Sequence, residues 1–231
     1  MKISWQHLAP SYCDKLGLLA KLAAAESLSL YVVGGCLRDA IMQRSCADYD
    51  LAANSDPTSI AKQFAQKTNG HWFSLDKKRG YSRVIIKNKK NNHRNKITEY
   101  CVGDALKDQL QFDFAPLRAQ TIDEDLKLRD FTINAMAVKL STLNLENRTF
   151  ELIDPCNGLK DLQQQRLRMC GERVLFDDPL RIVKGLRHCA QLGLTMCGET
   201  STACRCYAPL ISTIAGERIR EEISKILIAD H

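Results

Sequence analysis

YVVGGCLRDAIMQRSCADYDLAAN, residues 31 to 54, decides how the rest of the chain is read. LSLYVV, residues 28 to 33, has the apolar character of a buried strand and ends at the glycine pair Gly34 and Gly35. Glycine lets a backbone approach a ligand closely and adopt dihedrals closed to other residues. A helix starting at Cys36 or Leu37 would aim its first N–H groups at a bound phosphate. A plain tight turn needs the same two residues, so the pair by itself leaves both readings open.

Asp48 and Asp50, later in the same stretch, sharpen the choice. In a strand, residues two apart project from one face, so the two carboxylates point together while Tyr49 and Leu51 project to the other side. Like-charged carboxylates held together call for a cation. Oxygen-only ligands favour magnesium, which keeps waters and takes up substrate phosphates. Two such ions about 4 Å apart would stabilise the attacking and leaving oxygens of a phosphoryl displacement.

The remaining composition is permissive. With 231 residues, 45% of them hydrophobic, the chain can build a packed core in one large or two small domains. A formal charge of +6 suits an anionic partner without requiring one. The ten cysteines are scattered with no C-x-x-C pair, which reads as reduced thiols in a cytoplasmic protein. No apolar run approaches the ~20 residues of a membrane span, so no membrane association is expected.

Along the chain, Tyr12 to Leu28 has helical apolar spacing through Leu16, Leu19, Leu22 and Ala23. DYDLAA reads as a strand, Pro57 opens a helix to about Lys67, and HWFSL, RVIIK, ITEYC and LQFDFA alternate like successive strands. KNKKNNHRNK, residues 87 to 96, reads as a solvated basic loop, with phosphate contact as the alternative. FTINAMAV reads as a helix start, FELID as a short strand, and from Gly158 onward nearly everything reads as helix. The expected fold class is α+β: a mixed-sheet domain over residues 1–145, then an all-helical domain over 146–231.

The glycine pair, then LRD, then DYDLA resembles the signature of polymerase-beta type nucleotidyltransferases. It takes the form shared by class II tRNA nucleotidyltransferases and bacterial poly(A) polymerases. LKLRDFTINAMAV, residues 126 to 138, resembles the family's second motif, which binds the ribose and triphosphate of the incoming nucleotide. DDPLRIVKGLRH, residues 177 to 188, resembles its base-reading helix. The resemblance covers about Leu30 to Leu227 and corresponds to the catalytic head and the helical neck, without the family's body and tail.

By that resemblance Gly34, Gly35 and Arg38 would hold the triphosphate, Asp48 and Asp50 the metals, and Asp113 would help activate the RNA 3′ hydroxyl. Arg129 would meet phosphate, while Asp130 and Asn134, four apart on one helix face, would meet the ribose hydroxyls. Arg118 falls where the family places an arginine near the nucleotide. Asp177, Asp178 and Arg181, three and four residues apart on a helix, would read the base. Cytosine and adenine both present an amino donor beside a ring-nitrogen acceptor, so one carboxylate and one arginine can accept C and A and refuse U and G without a template.

Three departures stand out. Leu128 replaces a second arginine, Asp177 replaces a glutamate, and Lys184 replaces an arginine that would face phosphate. Between Arg118 and Asp125 lies only AQTIDE, where relatives that complete CCA carry a long loop; a short segment resembles enzymes that add part of CCA. The expected activity is magnesium-dependent addition of C, A or both to a tRNA 3′ end from CTP or ATP. The alternatives are poly(A) polymerase and a non-catalytic RNA-binding module.

Overall fold

The computed structural model describes residues 2–4, 10–44, 46–87, 109–144, 146–147 and 149–228. The strand expected at ITEYC and all of the basic stretch after Lys87 lie outside them. In chain order the elements are β1 (Lys2–Ser4), α1 (Pro10–Ala25), β2 (Leu30–Val33), α2 (Gly35–Ile41), β3 (Asp48–Ala53), α3 (Thr58–Thr68), β4 (His71–Asp76), β5 (Tyr81–Lys87) and β6 (Gln109–Pro116). Then come α4 (Ile122–Lys127), β7 (Ala137–Lys139), β8 (Thr149–Glu151), α5 (Gly158–Gln163), β9 (Arg166–Leu167), α6 (Val174–Asp177), α7 (Leu180–Leu192), β10 (Thr195–Met196), α8 (Gly198–Tyr207) and α9 (Gly216–Leu227). Among the described residues no helix is long and apolar enough to cross a membrane.

By contacts the chain divides into two compact units. The first holds Met1–Leu117 and Val138–Leu152, the second Arg118–Ala137 and Ile153–His231. This division crosses the chain more than once, where the sequence pattern suggested one cut near residue 145. The segment before β7 belongs with the helical residues because Phe131 pairs with Met169 and Ala137 with Ile153.

The first unit is built on a six-stranded mixed sheet in the order β4-β5-β6-β3-β2-β7, with β3 and β6 parallel. Strict alternation in β5 and β6 buries Val84, Ile86, Leu110, Phe112 and Phe114 on one face. There Tyr49 stacks on Phe112 at 5.2 Å, and the Phe64 ring of α3 meets Phe112 edge-on at 5.0 Å. Ile60, Ala61, Phe64 and Ala65 give α3 an apolar stripe, each large side chain contributing about 1.5–3 kcal/mol when removed from water. Leu16, Leu19, Leu22 and Ala23 of α1 are buried, as their spacing predicted.

The second unit is mainly helical and adds a small parallel pair, β9 with β10. Its α4 starts with a reciprocal cap, Thr121 accepting from the Glu124 N–H and Glu124 accepting from the Thr121 N–H. The helix expected from Phe131 is absent. A single 3₁₀ turn covers Thr132–Asn134 and β7 follows. Phe131, Ile133 and Ala135–Val138 are all buried, so the run has no polar face for a surface helix to expose. Gly158 secures that turn, because a Cβ there would lie 2.0 Å from the Thr132 carbonyl oxygen.

The helix expected to carry Asp177, Asp178 and Arg181 is also broken. Asp177 ends α6, Asp178 is extended (φ −144°, ψ 94°), and α7 starts after Pro179. Proline offers no N–H and pushes the preceding residue out of the helical region.

Candidate active site

On β2 and β3, Val33 stands opposite Asp50, so the chain leaves the sheet at Gly34 beside the Asp48 end of β3. Gly34 has φ 82° and ψ −145°, a conformation costly for any residue with a side chain. At Gly35 an added Cβ would lie 3.3 Å from the Arg38 Nη2. Arg38 is buried, and its Nε and Nη2 donate to Asp39 Oδ1 at 2.9 and 2.8 Å. The glycine pair thus serves two needs: one supplies the dihedral, the other makes room for the guanidinium.

Asp48 and Asp50 are both exposed on the face opposite the aromatic core. Asp50 is in register with Asp113 on β6, and Asp113 with Arg83 on β5. Arg83 donates through Nε and Nη2 to the two Asp113 oxygens at 2.6 and 2.7 Å. This bond raises the Arg83 pKa, the nearby Asp48 and Asp50 charges adding to it. Asp113 therefore stands in the carboxylate row beside Asp50, held by an arginine.

The donor set at β3 suits a hard cation. Two thiols lie close by, and burial lifts both: Cys36 well above its ordinary value, Cys46 up to about 12. Cys36 is buried and Cys46 Sγ donates to the Asp48 carbonyl at 2.9 Å, so the donors that β3 exposes are carboxylate oxygens. Among the described residues no group of three or more His, Cys, Asp or Glu could hold a metal. Two carboxylates remain, which fits magnesium that completes its shell with water and phosphate.

In the second unit the arginines expected near the nucleotide converge on Asp125. Arg118 donates its backbone N–H and Nε to Asp125 Oδ1 at 2.9 and 3.2 Å, and Arg129 donates Nη2 and Nε to Oδ2 at 3.0 and 3.2 Å. Burial works against this carboxylate's charge, yet the Arg129 charge and the Arg118 bonds prevail and lower its pKa.

Asp130 and Asn134 meet although they share no α-helix. The Asn134 amide nitrogen is 3.2 Å from both Asp130 Oδ1 and His188 Nε2. For Asp130, burial is again the largest influence and an opposing one; His188, the Phe131 N–H, Asn134 and Lys184 outweigh it and lower the pKa. Lys184 and His188, four apart on α7, both act on Asp130. Gly185 between them lets the Phe131 ring come close, since a Cβ would lie 2.9 Å from its tip.

Of the trio expected to read the base, Asp178 and Arg181 meet at the start of α7, where the Arg181 N–H donates to the Asp178 carbonyl at 3.0 Å, while the side chains have other partners. Asp177 lies 3.9 Å from Arg173, Asp178 accepts from the Leu180 N–H at 3.3 Å and faces Arg218 at 3.6 Å, and Arg181 donates to the carbonyls of Val174 and Leu128 at 3.2 and 3.5 Å. Leu128, where an arginine was expected, is exposed and lends this backbone oxygen.

Residues 30–168 match the family described as Poly A polymerase head domain. The chain belongs to the poly A polymerase head-domain family. Beyond this head domain, residues 193–231 match a family described as Probable RNA and SrmB- binding site of polymerase A. The chain is 36% identical to the CC-adding tRNA nucleotidyltransferase of Geobacter sulfurreducens, covering 93% of itself and 44% of that protein. It is 32% identical to the CCA-adding enzyme of Streptococcus mutans, covering 98% and 52%. In structure it is similar to the Thermotoga maritima CCA-adding enzyme complexed with tRNA-CCA, with TM-score 0.80 and 25% identity, over all of this chain and 52% of that one. The chain spans about half the length of these relatives.

Three residues of this head-domain protein escape a reading of sequence alone. Arg83 looks like any charged residue in an alternating strand, Asp125 like a helix-start acid, and His188 like the end of a helical pattern. For Arg83 a signal existed: it shares the period-2 face of β5 that opposes the buried Val84 and Ile86. Asp125 pairs with Arg129 at i, i+4, a spacing the sequence shows, but its Arg118 partner lies seven residues away and the Asn134 partner of His188 lies 54 away, which no local spacing reveals.

Proposed function

We propose that this chain is a magnesium-dependent, template-independent nucleotidyltransferase that adds C, or C and A, to the 3′ end of tRNA. The register of Asp50 against Val33 carries this reading, since it sets a glycine turn beside two same-face carboxylates. Asp48 and Asp50 would hold the magnesium, which when bound neutralises phosphate charge and favours loss of pyrophosphate. Gly34 and Gly35 offer backbone to the triphosphate, and Arg38, whose guanidinium lies against Gly35, a positive charge. Asp113, oriented by Arg83, is the carboxylate available to position the RNA 3′ hydroxyl.

In the second unit Asp130 and Asn134 provide an acceptor and an amide for the ribose hydroxyls, and Arg129, anchored on Asp125, a charge for phosphate. Base choice falls to Asp177, Asp178 and Arg181, with Lys184 adding positive charge. Arg181 holds neutral carbonyls, partners that a base edge can replace at small cost. The short segment before Asp125 and the CC-adding relative support addition of part of CCA.

Incubating the purified chain with magnesium, tRNA lacking its 3′ end and each nucleotide separately tests the proposal. Incorporation of C, or of C followed by A, with U and G refused, is the expected result. Long A tracts would make the chain a poly(A) polymerase, and retained RNA binding without incorporation would make it a binding module.

A further inference from the structure

Phe73 and Leu75 are exposed at 39% and 50% on β4, which among the described residues is an edge strand of the sheet. Large apolar side chains left exposed at a sheet edge form the kind of surface that a partner covers. Phe73 stands opposite Arg83, Arg83 opposite Asp113, and Asp113 opposite Asp50, forming one row across four strands. Trp72, on the other face, is taken up by Lys62 at 4.8 Å and plays no part in that row. At about 4.8 Å per strand, Phe73 lies about 14 Å from Asp50, a span that the last few nucleotides of a strand would cover.

The turn that follows is cationic. Lys77, Lys78 and Arg79 are all exposed at the tip of the β4–β5 hairpin. Asp76 builds the turn, accepting from the Lys78 and Arg79 N–H groups at 2.9 and 3.2 Å, and its charge offsets one of the three. An exposed aromatic ring beside a cluster of cations is the combination that binds single-stranded nucleic acid: the ring stacks on a base and the cations meet phosphates.

We infer that the β4–β5 hairpin is the track on which the single-stranded 3′ end of the RNA reaches the carboxylates, with Phe73 as the platform for a base. The inference rests on the transferase reading above for the identity of the strand's end, while the binding it describes is measurable without catalysis. Because ring stacking tolerates any base, the track contributes affinity and placement, and base choice stays with other residues.

Anisotropy of a labelled single-stranded oligoribonucleotide ending in CC, read with the full chain, tests it alongside the KM for CTP. Phe73→Ala should weaken RNA binding about tenfold and leave the CTP KM within about twofold, with Phe73→Trp restoring affinity. Reversing Lys77 and Lys78 to glutamate should weaken binding further and flatten its dependence on salt. Thermal melting should be unchanged for Phe73→Ala, since the ring is exposed. RNA affinity unaffected by Phe73→Ala, or weakened by it and not restored by Phe73→Trp, overturns the track even if the wild-type chain incorporates nucleotides. Conversely, wild-type protein that incorporates nothing while its RNA affinity still depends on Phe73 retains the track and removes the transferase reading.

Discussion

On β3, Asp48 and Asp50 sit two apart on a strand flanked on both sides by others, whereas Asp177, Asp178 and Arg181 fall on either side of the break at Pro179. The first pair shares a face because strand geometry leaves no other arrangement. The trio instead spans a helix start, Asp177 closing α6 and Asp178 accepting from the Leu180 N–H ahead of Arg181, so a single helical spacing does not describe it. Period-2 patterning in a central strand survives folding, while a helical spacing argument fails at the first break. The same contrast separates Asp113, fixed by register opposite Asp50, from Asp130 and Asn134, which meet through a 3₁₀ turn.

The contrast can be broken most severely at Gly158. Gly158→Ala places a methyl 2.0 Å from the Thr132 oxygen, a backbone atom that cannot yield cheaply. It should destabilise the second unit by about 3 kcal/mol and disturb Asp130 and Asn134, read by thermal melting and by the KM for CTP. Loss of both arginine anchors through Asp125→Asn should cost about 2 kcal/mol. Its pH signature is specific: a carboxylate with a lowered folded pKa stabilises above its unfolded value and loses that contribution as pH falls through the folded one. Urea midpoints measured from neutral pH into the acid range should therefore fall less steeply in the variant than in the wild type.

A smaller change sharpens the comparison. His188→Phe keeps an aromatic ring against Phe131, which His188 now meets edge-on at 5.9 Å, and removes the nitrogen beside Asn134. Losing one hydrogen bond of about 1 kcal/mol should raise the KM for CTP roughly fivefold with kcat little altered. An unchanged KM would separate His188 from the nucleotide site.

Much of the first unit was legible in the sequence. The strands at LYVV, DYDLAA, HWFSL, RVIIK and QFDFA, the helix after Pro57 and the buried stripe of α1 follow from alternation and apolar spacing that packing preserves. In the second unit the apolar run FTINAMAV carried no period to distinguish strand from helix, and DDPLR carried a proline that outweighed its i, i+4 charges. Partners set by the fold were hidden altogether: Asp113 gave no sign of Arg83, nor Asn134 of His188. The chemistry of a residue shows in sequence, and the company it keeps shows only in three dimensions.

The central claim concerns the β3 carboxylates, and incorporation of labelled CMP into tRNA lacking its 3′ end, with Asp48→Ala beside the wild-type chain, tests it most directly. The account predicts a loss of about a thousandfold or more at saturating magnesium and CTP with unchanged thermal melting, because an exposed side chain is removed from an intact sheet. Incorporation by the variant within a few-fold of the wild type would contradict it.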